Sequence, residues 1–422
     1  MASFRFLHCA DLHIDSPLRG LEADPDAPVE RIRNATRDAL VNLVNFAIEE
    51  NVAFVLAAGD LYDGDWRDWR TGRFLITQIG RLNRAGIPLI AIRGNHDADS
   101  VITRHLEPPP PAQLLKPGRC ETVELPAFNV RIHGRSYAEP AMTENIVPSY
   151  PPAIPGCLNI GLLHTAVEGR PPHNRYAPCT LEQLRDHGYQ YWALGHVHTR
   201  EVLCSDPWIV FPGNLQGRHI GETGPKGATL VTVEDDQVRR VEPVTFDTVR
   251  WRVVPIELPG DADEDVAMAL TRSALLDAIS GADGRLLAAR VALSGATAAH
   301  TAFSRDLGAV REKVRAEALG CAGPDALWIE GVEVNTRPSL DIAALRERAD
   351  AFGLLVRAIE GTSPDELQAT IEDYCRTMLD RAGGLREALG EEHAVVAAAA
   401  GKVPGALIER ARALLIARLA EA

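Results

Sequence analysis

The stretch Val52–Trp66, VAFVLAAGDLYDGDW, places an apolar run directly before three carboxylates. The run Val52–Ala58 has the length and composition of a buried strand. Asp60, Asp63 and Asp65 then follow within six residues. Because Asp is common in turns, a solvated loop is the ordinary interpretation of any one of these acids. A functional interpretation needs similar groups after other strands of the same sheet.

Four further apolar runs in the first 250 residues end in the same way, and amphipathic helix patterns separate several of them. Such alternation is typical of an α/β fold with a largely parallel sheet. The carboxyl ends of parallel strands share one crevice, so residues that follow different strands converge there. The residues in question are Asp11 and His13 after FRFLHCA, Asp60 after VAFVLAAG, Asn95 and His96 after IPLIAIRG, His164 at the end of CLNIGLLH, and His196 and His198 after YQYWALG.

These residues predict a site for two divalent cations. Carboxylate and amide oxygens mixed with imidazoles, without a thiolate, suit Mn, Fe, Zn or a similar ion. Two cations ~3.5–4 Å apart need one bridging carboxylate and further ligands for each, and Asp60 is the natural bridge. Asp11 with His13, and His196 with His198, are spaced to point the same way from an extended segment. One such residue alone is more often an ordinary loop residue, but five groups in order support the prediction together.

Length, charge and composition limit the remaining possibilities. A chain of 422 residues exceeds one ordinary core, so two or three domains are expected. The net charge of -14 argues against this chain being the main electrostatic clamp of a nucleic acid. The seven scattered cysteines form no CxxC pair, which predicts free thiols. No apolar stretch approaches the ~20 residues that a membrane helix needs, and the expected location is cytoplasmic without membrane contact.

The later parts of the chain change in pattern. From about Arg250, strand and helix patterns follow in the order βαβαβ, which predicts a small second α/β domain. From about Pro338 the pattern is helical, with an apolar stripe from Ile342 to Ile359. Such a stripe usually packs on its own domain, and an exposed groove for a partner helix is the alternative. The predicted domains are therefore 1–248, 249–337 and 338–422.

The ordered motifs DxH, GD, GNHD, a lone His and GHxH resemble those of the calcineurin-like metallophosphoesterase superfamily over about residues 4–245. Within it, FRFLHCADLHIDSPLRG, GDLYD and FPGNLQGRHIGETGPKGATLV are most similar to SbcD-type DNA repair exonuclease subunits, in particular to their bacterial YhaO-type branch. This resemblance implies a two-layered αββα sandwich, a small α/β capping domain and a helical C-terminal region. It also implies one metal held by Asp11, His13, Asp60 and His198, and another held by Asp60, Asn95, His164 and His196.

The same resemblance implies the catalytic roles. A hydroxide that bridges the two metals, with Mn favoured over Fe, Zn or Mg, would be the nucleophile. His96 would lie beside the scissile phosphate and steer it or protonate the leaving oxygen. Asp63 departs from well-known SbcD-type nucleases, which usually carry a histidine there, and matches serine/threonine phosphatases of the superfamily. We hypothesise that Asp63 orients His96 and keeps it protonated without binding metal, whereas Asp65 has no chemical role.

The predicted function is a metal-dependent DNA phosphodiesterase, namely an exonuclease for which endonuclease activity is a further option. The resemblance implies DNA and an SMC-like coiled-coil ATPase subunit as partners, with the helical tail as the docking region; a homodimer is compatible with the sequence. Two alternatives stay open. One is a phosphoprotein phosphatase or small-molecule phosphodiesterase with the same chemistry, and the other is a non-catalytic scaffold of a DNA-end complex, against which the intact motifs argue.

Three residues outside the motifs are weaker candidates. His133 and His219 lie in family-like segments, and a structural role is the more ordinary interpretation of each. Arg218 together with His219 could contact a phosphate backbone.

Overall fold

A computed structural model of the chain describes residues 3–17, 27–63, 69–99, 108–167, 176–339 and 342–382, together with parts of 385–416. Asp65 lies outside the described residues. The chain divides into two compact units. The first contains Met1–Val253, Asp277–Arg290 and Ala322–Glu330, and the second contains Val254–Leu276, Val291–Cys321 and Gly331–Ala422.

The first unit is built on two mixed β-sheets. The strands of the first sheet are β1 (Phe4–Cys9), β2 (Val55–Ala58), β3 (Leu89–Ile92), β4 (Gln113–Leu114), β11 (Gly227–Glu234) and β12 (Gln237–Thr245). Their spatial order is β12–β11–β1–β2–β3–β4. Strands β1 to β4 are parallel, and β11 and β12 form a hairpin, antiparallel beside β1.

The second sheet has a parallel centre and one antiparallel strand at each edge. Its strands are β5 (Glu121–Leu125), β6 (Val130–Gly134), β7 (Leu158–His164), β8 (Tyr191–Gly195), β9 (Glu201–Ser205) and β10 (Trp208–Phe211). Their spatial order is β5–β6–β7–β8–β10–β9. Strands β6, β7, β8 and β10 are parallel, whereas β5 and β9 pair antiparallel at the two edges.

The two sheets face each other across an apolar core. Phe6 and Phe54 of the first sheet stack with their ring centroids 4.8 Å apart. Tyr191 of the second sheet meets the Phe6 ring edge-on at 5.5 Å. All three side chains are fully buried, so the contact excludes water from the space between the sheets.

Helices cover the outer faces of this sandwich. Helices α1 (Val29–Glu49) and α2 (Trp69–Arg84) pack on the first sheet through one apolar face each. A short helix, α3 (Asn95–Asp99), follows β3 directly. Helix α4 (Leu181–Asp186) contacts the second sheet, where its Leu184 carbonyl accepts a hydrogen bond from the Trp192 indole N–H at 2.9 Å. The predicted αββα sandwich is confirmed.

Strand β13 (Val249–Glu257), β14 (Leu286–Thr297) and β15 (Leu327–Pro338) form a third sheet in the order β13–β14–β15. The helices between them are α5 (Glu264–Ser280), α6 (His300–Arg305) and α7 (Leu307–Cys321), so the predicted βαβαβ order holds except that two helices occupy the second helical position. The described part of the tail contains α8 (Ile342–Glu347), α9 (Ala351–Gly361), α10 (Pro364–Arg381) and α11 (Ala394–Ala399). Among the described residues, no helix combines the length and apolar character needed to cross a membrane.

The helical region predicted from about Pro338 is confirmed, and the apolar stripe from Ile342 to Ile359 lies on two helices rather than one. The helix breaks between Glu347 and Ala351. Asp350 begins the second helix as its N-cap, since its side chain accepts a hydrogen bond from the Gly353 N–H. A Cβ atom on Gly353 would lie 2.1 Å from the Arg348 carbonyl oxygen, so the close approach of the chain at this break requires glycine at position 353.

His8 joins the two sheets through hydrogen bonds in the buried core. Its Nε2 lies 3.0 Å from the Leu194 carbonyl oxygen, which can only accept, so Nε2 donates. Its Nδ1 then accepts from the Tyr191 hydroxyl at 3.0 Å. Burial lowers the pKa of the fully buried His8 ring to about 3. The folded protein therefore holds His8 neutral.

This neutral histidine predicts a loss of stability in acid. Between pH 6.5 and 3 the unfolded chain binds a proton at His8 that the folded chain does not, so the free energy of unfolding falls as the pH falls. At pH 5.5 the expected loss in the free energy of unfolding from His8, relative to a pH well above 6.5, is about 1.4 kcal/mol. His8→Gln keeps one donor and one acceptor without the titration, so denaturant unfolding between pH 5 and 7 should show a shallower slope than in the parent protein.

The matched control is His219→Gln, which alters a side chain that is 64% exposed. It should retain the slope of the parent protein. Equal slopes for His8→Gln and the parent protein would contradict the role given to His8.

Candidate dinuclear metal centre

The predicted site residues follow strands of both sheets rather than of one. Strands β1, β2 and β3 belong to the first sheet, whereas β7 and β8 belong to the second. Their carboxyl ends nevertheless meet. Asp60 Oδ2 lies 3.5 Å from His164 Nε2, and the Asp11 carboxylate accepts hydrogen bonds from the His196 backbone N–H at 3.1 and 3.0 Å. The expected convergence is confirmed, but the crevice lies between two sheets.

The backbone at these strand ends is unusually bent. Asp11, His13, Asp60 and His196 have φ values of 51°, 42°, 54° and 102°. Residues other than glycine rarely adopt the left-handed region, and such backbone is concentrated at functional sites. Asp11 and His13 therefore do not project from an extended segment as expected. They share the site because the left-handed turns direct both side chains to it.

Hydrogen bonds hold these turns in place. The N–H of Asp11 donates to the Gly59 carbonyl oxygen at 3.0 Å, and that of His13 donates to the Asp60 carbonyl oxygen at 3.0 Å. The segments after β1 and β2 thus continue side by side beyond the regular strands. This pairing fixes the main chain that carries three of the predicted metal ligands.

Glycines allow the strand ends to approach closely. A Cβ atom on Gly94 would lie 2.2 Å from Asp60 Oδ1, and one on Gly195 would lie 2.0 Å from the Ala58 carbonyl oxygen. Real Cβ atoms do not tolerate such distances, so each position requires glycine. This explains physically why a glycine precedes Asn95 in GNHD and His196 in GHVH.

The side chains then form overlapping groups suited to metal binding. Three groups have candidate ligand atoms that all lie within 4.8 Å of one another: Asp11, His13 and His198; His13, Asp60 and His96; and Asp11, Asp60 and His164. Asn95 joins them because its Oδ1 is 3.0 Å from His164 Nε2. The His196 ring centroid lies 5.2 Å from that of His164. All seven predicted ligands are therefore gathered in one place.

The hydrogen bonds of the histidines fix which ring nitrogen faces this centre. His164 Nδ1 donates to the Ala58 carbonyl oxygen at 2.8 Å, which leaves the Nε2 lone pair toward Asp60 and Asn95. His13 Nδ1 lies 2.8 Å from Asp63 Oδ1, and His198 Nδ1 lies 2.7 Å from Glu222 Oε1. Since an ionised carboxylate only accepts, both Nδ1 atoms donate. Such outer partners are the usual means of orienting metal-binding imidazoles.

The resulting arrangement fits cations. The Nε2 atoms of His13 and His198 lie 3.2 Å apart, and because both rings donate through Nδ1, their Nε2 atoms could bind one cation together. Burial, with Arg218 adding to it, lowers the pKa of His13 to about 3, and burial lowers that of His164 to about 3. These rings are neutral, as metal ligands must be.

The two carboxylates of the centre have raised pKa values, in contrast to the lowered values of the rings. Burial, and after it the charge of Asp60, raises the pKa of Asp11 above its ordinary value. Burial also raises the pKa of Asp60. The charges of Arg218 and His96 act against this rise for Asp11 and Asp60 respectively, and divalent cations would supply further positive charge. The donor set therefore fits the two cations that the sequence predicts.

Asp63 lies behind this centre and faces two histidines. Its Oδ1 is 2.8 Å from His13 Nδ1 and 3.1 Å from His96 Nδ1. Burial would raise the pKa of Asp63, but the hydrogen bonds from His13 and His96 outweigh burial and hold it well below its ordinary range. The hydrogen bond to Asp63 also raises the pKa of His96. The His96 side chain is 44% exposed, so it can meet a substrate at the edge of the centre.

Two further residues of the site were missed by sequence reasoning. Glu222 accepts from His198 and, at 2.9 Å, from the Asn214 amide. Burial would raise the pKa of Glu222, but the hydrogen bonds from His198 and Arg218 lower it well below its usual range. Both residues lie in irregular chain before β11, where no periodic pattern marks them. The only available signal was their presence in the family-like segment FPGNLQGRHIGE.

Asp97, the last residue of GNHD, is a third residue that sequence reasoning left without a role. Its buried carboxylate accepts hydrogen bonds from three backbone N–H groups, those of Leu61, Tyr62 and Gly94, at 3.0, 3.0 and 3.1 Å. Asp97 thereby joins the loop after β2 to the loop after β3. Both loops carry predicted ligands, so Asp97 sets the distance between them.

The weaker candidate His133 is packed inside the second sheet, away from the proposed metal ligands in sequence and with contacts typical of a structural residue. It is buried in the second sheet, lies 2.9 Å from the Thr122 hydroxyl and stacks on Tyr189 with centroids 4.7 Å apart. His219 is exposed, and its Nε2 is 3.7 Å from Glu222 Oε1.

Comparison with known families agrees with the fold and the site. Residues 4–200 match the model of the calcineurin-like phosphoesterase family, and residues 251–337 match the model of the middle domain of metallophosphoesterase YhaO. The chain therefore contains a calcineurin-like metallophosphoesterase domain. A YhaO-type middle domain follows it, so the resemblance noted in the sequence is confirmed.

Individual relatives are also similar. The uncharacterized metallophosphoesterase YhaO of Bacillus subtilis (strain 168) is 36% identical over 242 residues, which are 56% of this chain and 59% of that protein. The DNA double-strand break repair protein Mre11 of Sulfurisphaera tokodaii is 24% identical over 278 residues, 61% of this chain and 66% of the relative. Mre11 of Saccharolobus solfataricus is 28% identical over 243 residues, 55% and 61% of the two chains. Each match thus spans less than two thirds of the relative.

The bridging role of Asp97 gives a prediction about stability and metal binding together. Asp97→Ala leaves three buried N–H groups without an acceptor, and one such group costs about 1–3 kcal/mol. We expect a lower free energy of unfolding and weaker Mn²⁺ binding, measured by denaturant unfolding and by calorimetric titration.

Asp97→Asn is the matched control, because it keeps one acceptor oxygen and should lie between the alanine variant and the parent protein. An alanine variant with unchanged unfolding and unchanged Mn²⁺ affinity would refute the bridging role.

Proposed function

We propose that this protein is a dinuclear metal-dependent phosphodiesterase that hydrolyses DNA. The observation that carries the proposal is the set of imidazole Nε2 atoms, those of His13, His164 and His198, that lie beside the buried Asp60 and Asp11 carboxylates. Phosphodiester hydrolysis needs charge neutralisation on the phosphoryl oxygens and an activated water. Two bound cations would supply both, because they lower the pKa of a bound water and act as Lewis acids.

The site residues divide into proposed cation ligands and one residue proposed to transfer a proton. We propose that Asp11, His13, Asp60 and His198 hold one cation, and that Asp60, Asn95, His164 and His196 hold the other. His96 is the reacting group, since it is exposed at the edge of the centre and its backbone N–H donates to Asp60 Oδ1 at 3.0 Å. Its Nδ1 donates to Asp63, so Nε2 is the atom that carries or releases a proton toward the leaving oxygen.

Asp63 serves both groups in this proposal. Its contact with His96 supports the hypothesis that it orients this ring and favours its protonated form. Its contact with His13 adds a second role, in which Asp63 orients a metal ligand without binding metal itself.

The choice of DNA as substrate is supported by the relatives. Two of those similar to this chain are DNA double-strand break repair proteins. The net charge of -14 is unfavourable for holding a long duplex alone, so a partner that contributes positive charge fits the proposal. We propose an exonuclease that uses Mn²⁺ in the cytoplasm, with endonuclease activity as a further outcome of the assays below.

The remaining parts of the chain are proposed to serve DNA positioning and assembly. The domains are proposed as a nuclease domain 1–248, a capping domain 249–337 that orients DNA, and a helical region 338–422 that docks an SMC-like coiled-coil ATPase. Large apolar side chains on the tail helices support docking: Leu354 is 62% exposed and Tyr374 is 72% exposed.

The roles of Asp60 and His96 are separated by two variants. Asp60→Asn removes the shared carboxylate, so both catalysis and the binding of two cations should be lost. His96→Ala should retain two cations per chain and lose about 10²- to 10⁴-fold in rate, because only a proton-transfer group is removed. Cation content is measured by elemental analysis, and rate by Mn²⁺-dependent cleavage of DNA.

Asp206→Asn, a change at an exposed turn carboxylate, is the control and should match the parent protein in both measurements. An Asp60→Asn variant that still binds two cations would remove Asp60 from the bridging position. Loss of cations in His96→Ala would place His96 among the ligands instead.

The substrate class is tested by direct comparison. We expect Mn²⁺-dependent cleavage of linear DNA and of bis-p-nitrophenyl phosphate, a diester, with supercoiled and single-stranded DNA assayed in parallel. Preferential hydrolysis of p-nitrophenyl phosphate, a monoester, without DNA cleavage would favour the phosphatase alternative, which the position of Asp63 supports. A protein that binds two cations but cleaves none of these substrates would favour a scaffold.

A further inference from the structure

The two carboxylates behind the metal centre are connected by one cation of the protein itself, Arg218. Its Nη2 donates to Glu222 Oε1 at 2.9 Å. Its Nη1 lies 3.5 Å from Asp63 Oδ2 and 3.4 Å from the Ser16 hydroxyl. Glu222 accepts from His198, and Asp63 accepts from His13. The guanidinium thus stands between the partners of two rings whose Nε2 atoms are 3.2 Å apart.

We propose that Arg218 is a positioning residue that fixes the His13–His198 half of the metal centre by joining the carboxylates of Asp63 and Glu222. The inference rests on the proposed dinuclear centre but not on DNA as its substrate. It concerns where the two rings point before any cation binds.

The position of Arg218 is itself fixed from several sides. Its backbone N–H donates to Glu222 Oε2 at 2.8 Å, so one carboxylate holds both the main chain and the side chain of this residue. The preceding Gly217 carbonyl oxygen accepts from the Trp251 indole N–H at 2.8 Å. A Cβ atom on Gly217 would lie 2.7 Å from the Glu222 carbonyl oxygen, so the loop is closely packed. Arg218 therefore extends from a constrained loop.

Burial strengthens the contacts of Arg218 with Asp63 and Glu222, because it excludes most solvent from these side chains. The side chains of Arg218, Asp63 and Glu222 are 13%, 14% and 6% exposed. Charge-assisted hydrogen bonds gain strength where solvent is excluded, and removal of one partner leaves an uncompensated buried charge. Nη1 and Nη2 of Arg218 are directed to protein carboxylates, whereas contact with a phosphate backbone, the expectation from the sequence, stays a prediction.

The planar fork of arginine suits this task and a lysine does not. A guanidinium presents donors in fixed directions, so its Nη1 and Nη2 can serve two carboxylates at once. A lysine keeps the charge but offers one compact ammonium group, which cannot occupy both positions. Arg218→Lys and Arg218→Met therefore separate the bridge from the charge.

The test measures Mn²⁺ binding and ring state rather than hydrolysis. Calorimetric titration of the parent protein should resolve two Mn²⁺ sites. In Arg218→Met one site should weaken by about 10- to 100-fold, the range found when outer partners of metal ligands are removed, while the other site stays unchanged. Arg218→Lys should weaken the same site, because the bridge is lost even though charge is kept.

A second measurement uses the metal-free protein. Nitrogen-15 spectra of the histidine rings should show Nδ1–H tautomers for His13 and His198 in the parent protein and a mixture of tautomers in Arg218→Met. This readout does not depend on catalysis. Circular dichroism of each variant checks that the sandwich is folded, and Arg218→Lys serves as the second variant if Arg218→Met does not fold.

Arg135→Met is the matched control. Arg135 is also 13% exposed and pairs with a carboxylate, Glu144, at 3.1 Å, but it makes no contact with the described residues of the metal centre. This variant should bind Mn²⁺ like the parent protein. If a parent protein that binds two Mn²⁺ ions is matched in both sites by Arg218→Met, the inference is wrong; a parent protein that binds none instead overturns the proposed function. Unchanged Mn²⁺ binding with a raised KM for DNA would assign Arg218 to substrate contact.

Discussion

Asp60 places a buried carboxylate where the two sheets meet, and its two oxygens have different surroundings. Oδ1 accepts the His96 backbone N–H at 3.0 Å, which fixes the orientation of the carboxylate. Oδ2 faces the Nε2 atoms of His13 and His164, at 3.9 and 3.5 Å. One ring follows a strand of the first sheet and the other ends a strand of the second. The sandwich therefore presents Asp60 to both groups of proposed ligands at once, which is what a bridging carboxylate requires.

The groups behind the ligands show that metal binding and proton transfer are not separate parts of this site. Asp63 accepts from a proposed metal ligand, His13, and from the proposed acid, His96. A movement of Asp63 toward one ring would lengthen its contact with the other. Arg218 holds the second oxygen of the same carboxylate. The aspartate at position 63, where nuclease-like sequences usually carry a histidine, thus pairs with His13 and His96 through one oxygen and with Arg218 through the other.

The sequence predicted the features that repeat and missed those that do not. The five apolar runs, each with a ligand at its end, allowed the α/β sandwich and the gathering of all seven ligands to be anticipated. Glu222, Asn214 and Asp97 were not found, because a residue that supports the ligands through hydrogen bonds has no required spacing from them along the chain. The expected extended pairs were wrong for Asp11 and His13, since left-handed φ values cannot be read from alternation. The stripe from Ile342 broke at Asp350 because capping overrode periodicity.

The metal centre lowers the stability of the metal-free fold, and the apolar core between the sheets offsets this effect. Four site residues adopt left-handed backbone, and the buried Asp11 and Asp60 carboxylates lie close together, so that burial and the charge of Asp60 raise the pKa of Asp11. Each of these features opposes folding. The buried contacts of Phe6, Phe54 and Tyr191 between the sheets favour it and do not require metal. Cations would remove the electrostatic conflict only in the folded state, so their binding energy adds to stability. The same crowding that lowers the stability of the metal-free protein would therefore favour cation binding by the folded site.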